Sequence, residues 1–378
     1  MADVHEPAHE ERVVGMASRT AAVALMLVRV VVVAVLIWRA DAVVDEGLLR
    51  YDRVAASPVT PYRYFAVEWM PAQTGVVHVI GGGGGAATTA RVALLSLVAD
   101  AAAAAALAWG WGRRVAAMYL LLGLPLLAVA YTRLDLLAVT LAAWAFALSR
   151  RGRDGPSGAA LALAALSGLW AAFLLPWAAL RRRRPTLVGA AAVLTAGGAA
   201  WYLVGGPKAP IQVLSYRGAT GWDVQSTVGG ILDALTGGAT FLEGGILRIG
   251  FAPAWARAVL LLAVVAVAAA AWRRWQRDGG NPAGRTALAV SASILALAPT
   301  YPAAWTSILV PWTALIWEED RTLATGAVVA IALTGVLAAA SPADESTVLT
   351  STIVVARQLV LVGVATRALI SRRTIRAA

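Results

Sequence analysis

Long hydrophobic runs parted by short polar breaks fill the chain from Ala21 to Ile370. Runs of this length, without strand-like alternation, predict membrane-spanning helices. The first, 21–38 (AAVALMLVRVVVVAVLIW), is too long for the apolar core of a signal peptide and holds Arg29. It predicts an uncleaved span behind a polar cytoplasmic tail of residues 1–20. Further spans are predicted at 86–109, 116–131, 134–148, 187–204, 256–272, 287–298, 303–317, 323–340 and 348–370. The pattern describes an all-α polytopic membrane protein of about ten crossings. It forms one domain over residues 21–371, and no repeat period is evident.

The run 161–180 breaks the rhythm. It is long enough to cross once, yet basic clusters flank both ends: Arg150 to Arg153 before it and Arg181 to Arg184 after it. A single crossing would place four consecutive arginines outside, against the positive-inside rule. A re-entrant hairpin that breaks at Gly168 and Pro176 keeps both clusters inside. With that hairpin, both termini fall in the cytoplasm. The two long polar stretches, 39–85 and 205–253, then fall together on the external face.

Composition sharpens the class. The chain is 60% hydrophobic and 14% charged, with a mean hydropathy of +0.71. A soluble domain cannot hide that much apolar surface. The net charge of +11 is not a nucleic-acid footprint, because the arginines cluster at helix ends. With no cysteine, disulfide and thiol chemistry are excluded.

The chemistry sits in the polar stretches. Residues 39–85 hold Asp41, Asp45, Glu46, Asp52 and Glu68, around the sequence PYRYFAVEWMP (61–71). Carboxylates where a helix leaves the bilayer are costly unless they work or pair. An enzyme on the external face has no ATP or nucleotide sugar, so its donor is a lipid phosphate. It needs a carboxylate base and cations for the leaving phosphate. Asp45, Glu68, Arg133 and Arg217 supply both. The Gly81–Gly85 run lacks the Lys-Ser/Thr of a phosphate loop and reads as a hinge. No Asp-x-Asp and no His/Cys cluster is present, so neither metal nor cofactor is expected.

An acid after the first helix, Pro-Tyr-Arg-x-Phe, and a Glu-aromatic-x-Pro box follow one another here. Downstream come Tyr131–Asp135 (YTRLD), Tyr216–Ser226 (YRGATGWDVQS), Glu243–Gly245 with Arg248, and Pro299–Pro302 (PTYP). In this order they resemble the polyprenyl-phosphate-mannose-dependent α-mannosyltransferases of glycosyltransferase family 87, inverting enzymes of actinobacterial envelopes with the C-type membrane fold. The resemblance covers about residues 20–340. It departs at Gly168, where the family commonly has a lysine, and at Gln225, where it commonly has a glutamate.

The resemblance implies a polyprenyl-phosphate-sugar donor, a lipid-linked or glycan acceptor, and hexose transfer with inversion on the external face of the cell membrane. Asp45, 23 positions before Glu68, is the expected base, with Asp41 as its alternative. Glu68 binds sugar or pairs with Arg63. Arg133 and Asp135 bind phosphate and brace the site, or pair with each other. Arg217 is a second phosphate ligand. Trp222, Gln225, Ser226 and Tyr301 line a sugar or headgroup pocket, or belong to the interfacial aromatic belt. A catalytically silent lipid-binding or transport protein of the same fold is the alternative. Transporters carry ionisable groups near the midplane, whereas most acids here lie in loops.

Overall fold

The structure, a computed structural model, describes residues 7–40, 46–57, 60–64, 66–180, 183–215, 218–243, 245–278, 282–340 and 347–370. The tail and the first hydrophobic run join in one helix, α1 (Pro7–Trp38). The first polar stretch carries two short helices, α2 (Glu46–Ala56) and α3 (Pro71–Ile80). α4 (Gly85–Trp111) stops at Gly112, whose φ of 103° suits glycine and strains any other residue. α5 (Arg113–Leu122) restarts at once. A tight turn at Leu124–Leu126, built on Pro125, then bends the chain by 41° into α6 (Leu127–Ala130).

α7 (Asp135–Arg150) and α8 (Asp154–Ser167) follow. Gly168 is extended and ends α8; a 3-10 run, Leu169–Leu174, leads to α9 (Pro176–Leu180) and then α10 (Arg184–Gly205). The starts of α8 and α10 lie side by side. Asp154 and Arg183 pair at 2.7 Å, and a Cβ on Gly158 would stand only 1.9 Å from the Thr186 carbonyl. Glycines allow this backbone contact. The segment 161–180 therefore returns to the end it came from, breaking at Gly168 and Pro176.

The second polar stretch is built rather than loose. It contains α11 (Ala209–Leu214), β1 (Trp222–Asp223), α12 (Thr227–Thr236), β2 (Thr240–Glu243) and β3 (Ile246–Ile249). The strands form an antiparallel sheet in the order β1-β3-β2, with Arg248 of β3 opposite both Asp223 and Phe241. α13 (Ala254–Asp278), α14 (Ala287–Leu297), a 3-10 run at Ala303–Leu309, α15 (Val310–Ile316), α16 (Arg321–Ala340) and α17 (Val348–Ile370) complete the chain.

Among the described residues six helices are long and apolar enough to cross a membrane, or seven with the bent pair α5–α6. The expectation of about ten is not met by length. α7 has 16 residues, α14 has 11 and α15 has 7. At 1.5 Å per residue each falls short of roughly 30 Å of hydrocarbon. Pro299 and Pro302 stand between the last two, and all three helices are buried against other helices rather than facing lipid. Alanine dominates this interior, and larger side chains fill it where Phe146 meets Trp177 and Trp312, at 5.0 and 5.5 Å between ring centres.

Candidate functional site

The two polar stretches converge over one end of the helices. α2 turns Leu48, Tyr51 and Val54 inward onto Val77, Val92 and Leu134. Its polar side then binds what surrounds it. Arg50 grips Glu68 through Nε at 2.9 Å and Nη2 at 2.8 Å, donates to the Ala66 carbonyl at 2.6 Å, and lies over the Trp69 ring. A planar guanidinium meets a carboxylate two-pronged in this way. Glu68 therefore pairs with Arg50, not Arg63. The next acid, Asp52, accepts from Gly82 N, Gly84 N and the Thr88 hydroxyl, each at 3.1 Å. The glycine run thus cradles the protein's own carboxylate at the start of α4.

Gln212 of α11 joins the two stretches. It accepts from Val67 N at 3.0 Å and donates to the Tyr62 carbonyl at 2.5 Å. Tyr62 has φ of 63°, and its hydroxyl donates to the Trp69 carbonyl at 2.6 Å. Bonds at both ends hold this strained backbone in place. The sheet is braced by Arg248, which donates to the Gly221 carbonyl at 2.8 Å and lies 3.4 Å from the Glu243 carboxylate. Glu243 accepts from Thr220 N at 2.8 Å and Gly221 N at 3.2 Å.

Between these walls lies a cavity of about 440 Å³. Arg50, Glu68, Arg133 and Asp135 line one part, and Asp223, Gln225, Asp233 and Tyr301 another, with Trp69, Trp170 and Trp305 among the apolar surfaces. Arg133 ends the turn before α7, and its carbonyl accepts from Ser96 at 2.9 Å. Asp135 is the first residue of α7, where a helix favours a carboxylate. A Cβ on Gly47 would stand 1.2 Å from Arg133 Nη1, so the glycine makes room for the guanidinium.

Asp223 is almost wholly buried. Its Oδ2 accepts from Tyr301 N at 2.7 Å and its Oδ1 from Gln225 N at 2.8 Å. Burial pushes its carboxyl up to about 6, against the opposing pull of those two N–H groups and of Arg248 and Arg357. From behind, Arg357 of α17 donates to the Gln225 carbonyl at 2.5 Å and covers the Tyr301 ring at 3.9 Å. Gln358 donates to the same carbonyl at 2.9 Å.

Of the residues singled out in the sequence, the cavity gathers Glu68, Arg133, Asp135, Gln225 and Tyr301. Gly168 and Gln225, where the chain departs from the family pattern in the hairpin and the second stretch, both face it. Trp222 does not. It is buried below the sheet with Ile249 and Ala252, because its strand position turns it away from the cavity. Ser226 caps α12, donating to the Asp223 carbonyl at 2.7 Å and accepting from Gly229 N at 3.1 Å. Its hydroxyl is thereby engaged. Asp41, Asp45 and Arg217 lie outside the described residues. Asp223, Arg50 and Arg357 were missed. Asp223 stood inside a quoted motif, and a lone arginine in the apolar run of α17 was itself a signal.

The family model of glycosyltransferase family 87 matches residues 64–299, more than half of the chain. The chain belongs to glycosyltransferase family 87. The match contains Glu68, Arg133, Asp135, Asp223 and Gln225; Asp41 and Asp45 precede it, and Tyr301 and Arg357 follow it. Among solved structures, the chain is similar to ArnT from Cupriavidus metallidurans bound to undecaprenyl phosphate. The identity is 14%, the TM-score 0.45, and the match covers 91% of this chain and 77% of that one. No curated protein matches the sequence.

Proposed function

We propose that this membrane glycosyltransferase moves a hexose, mannose by its resemblance, from a polyprenyl phosphate to a lipid-linked or glycan acceptor on the external face, with inversion. The observation that carries the reading is a cavity of a family-87 chain in which Arg133 and a set of buried carboxyls share one space at the ends of the helices. Cations there stabilise a phosphate leaving group, and carboxyls bind or deprotonate hydroxyls.

The reaction is a single displacement. The acceptor oxygen attacks C1 of the hexose as the C1–O bond to phosphate breaks. Asp45 takes the acceptor proton, and polyprenyl phosphate leaves with the bonding electrons toward Arg133. Asp45 stands two residues before Gly47, which lines the cavity beside Arg133. Arg217 is a second candidate for the phosphate, and Glu68, clamped by Arg50, shapes the wall more than it reacts.

The test is an assay in membranes with labelled polyprenyl-phosphate-mannose, each variant normalised to its own abundance. Asp45→Asn keeps the side chain's shape and removes its basicity, so turnover should fall by about 100- to 10,000-fold. Asp41→Asn should cost far less. Equal activity of wild type and Asp45→Asn removes this residue from catalysis. Wild type that binds the donor and never transfers its sugar supports the lipid-binding alternative.

A further inference from the structure

Both parts of the cavity carry carboxyls, and they differ in where the cations stand. Arg133 and Arg50 are the cations on its described walls, and both stand on the first-stretch side. The other part, between β1, α12 and α17, carries Asp223 and Asp233. Asp233 there accepts a hydrogen bond from the Ser351 hydroxyl.

The charged groups in this second part are acceptors, while the Ser351 hydroxyl is already spent on Asp233. Each Asp223 oxygen takes one backbone N–H, which leaves further lone pairs for a ligand. Gln225 Oε1 is buried without a hydrogen-bond partner among the described residues. Buried acceptors want donors, and leaving them unmet is costly. A phosphate offers almost no donors and is repelled by carboxylates. A sugar offers several adjacent hydroxyl donors and no charge.

Arg357 belongs to the same arrangement. Its Nη2 and its face hold Gln225 and Tyr301, the two residues whose N–H groups fix Asp223. Its charge also offsets that of Asp223. Arg357 is a positioning residue, and Asp223 is the group that lines the cavity.

Resting on the glycosyltransferase reading above, we infer that the Asp223–Gln225 part of the cavity is a polyol subsite that reads the hydroxyls of the donor hexose, apart from the phosphate seat at Arg133. The donor is the substrate that carries an anion and a polyol in one molecule, and the cavity offers arginines in one part and carboxylate and amide acceptors in the other, in one space.

The test compares two probes in lipid nanodiscs, undecaprenyl phosphate and its mannosyl ester. Wild type should bind the mannosyl ester more tightly than the bare lipid. Asp223→Asn should leave the bare lipid's affinity within about twofold and weaken the mannosyl ester by about tenfold or more, the range for a lost hydrogen bond to a charged group. Gln225→Ala should remove a smaller part of the same increment. An increment unchanged in both variants overturns the proposal. If Asp223→Asn weakens both probes alike, Gln225→Ala decides: a selective loss for the mannosyl ester upholds the subsite, and none overturns it. Wild type that binds neither probe brings down the glycosyltransferase reading itself, a result distinct from the others.

Discussion

Two arginines lie wholly buried in the apolar helices, Arg29 of α1 and Arg357 of α17, and their surroundings differ in kind. Arg29 is closed on every side. Its Nε meets Asp100 at 2.6 Å, its Nη2 the Leu120 carbonyl at 2.7 Å, and its Nη1 the Leu25 carbonyl at 3.2 Å. Asp100 in turn accepts from the Tyr119 and Tyr131 hydroxyls at 2.5 and 2.7 Å. Arg357 has one carbonyl and one ring, while its Nε and Nη1 find no hydrogen-bond partner among the described residues. In the first cluster each nitrogen of the guanidinium and each oxygen of Asp100 has a partner, and it ties α1, α4 and α5 together. The second backs a cavity wall. A buried charge in a membrane protein suggests function by default; here completeness of its partners separates structural use from use at a site.

The comparison can be broken most directly at Asp100. Asp100→Leu strands the Arg29 charge, and breaking one side of a buried pair costs about 3–5 kcal/mol. Thermal unfolding in detergent should show a large drop, while turnover per folded molecule stays near wild type. Turnover that collapses with stability intact would place Asp100 in the chemistry.

Two glycines sharpen it next. Gly123 leaves room for Arg29 and Gly47 for Arg133, but an added Cβ would stand 3.0 Å from Arg29 Nη2 and 1.2 Å from Arg133 Nη1. Gly47→Ala should leave the unfolding midpoint alone, because the end of a long side chain swings aside. It should cut turnover by up to about 100-fold, as displacement of a positioned catalytic group does. Full activity in Gly47→Ala would separate the Arg133 guanidinium from catalysis.

A titration follows. Asp223 is pushed up to about 6, so its carboxylate, present at pH 7, is lost as pH falls through 6 rather than near the ordinary value of about 4. Affinity for the mannosyl lipid should drop by about tenfold at one unit below that midpoint. Bound sugar favours the carboxylate and pulls the apparent midpoint lower. Arg248 and Arg357 face this group, and Asp233 shares its part of the cavity. Asp223→Asn should flatten the profile; a profile unchanged in that variant assigns the titration elsewhere.

The smallest expected effect is on stability at Arg357. Arg357→Gln removes a buried charge with no direct ion-pair partner among the described residues, and should shift stability by under about 1 kcal/mol. The same change at Arg29 leaves Asp100 unpaired and should cost several-fold more. Equal losses at the two sites would erase the distinction between them.

Much of the architecture was legible beforehand, because hydropathy and helix-breaking are local properties of the chain. The long runs became helices, and Gly168 and Pro176 broke the segment 161–180 as their backbone preferences require. The motifs also pointed to Glu68, Arg133, Asp135, Gln225 and Tyr301, which meet in one cavity. What tertiary structure decided was which residue answers which. The sequence offered Arg63 as the partner of Glu68, and the turn of α2 brought Arg50 to it instead. Trp222 and Ser226 were indistinguishable from Gln225 in sequence until a strand and a helix start turned the first two away. Asp223 and Tyr301 lie 78 residues apart, and Asp100 is 71 residues from Arg29. Such pairings depend on how helices stack in three dimensions, and neither the period nor the polarity of a single segment records it.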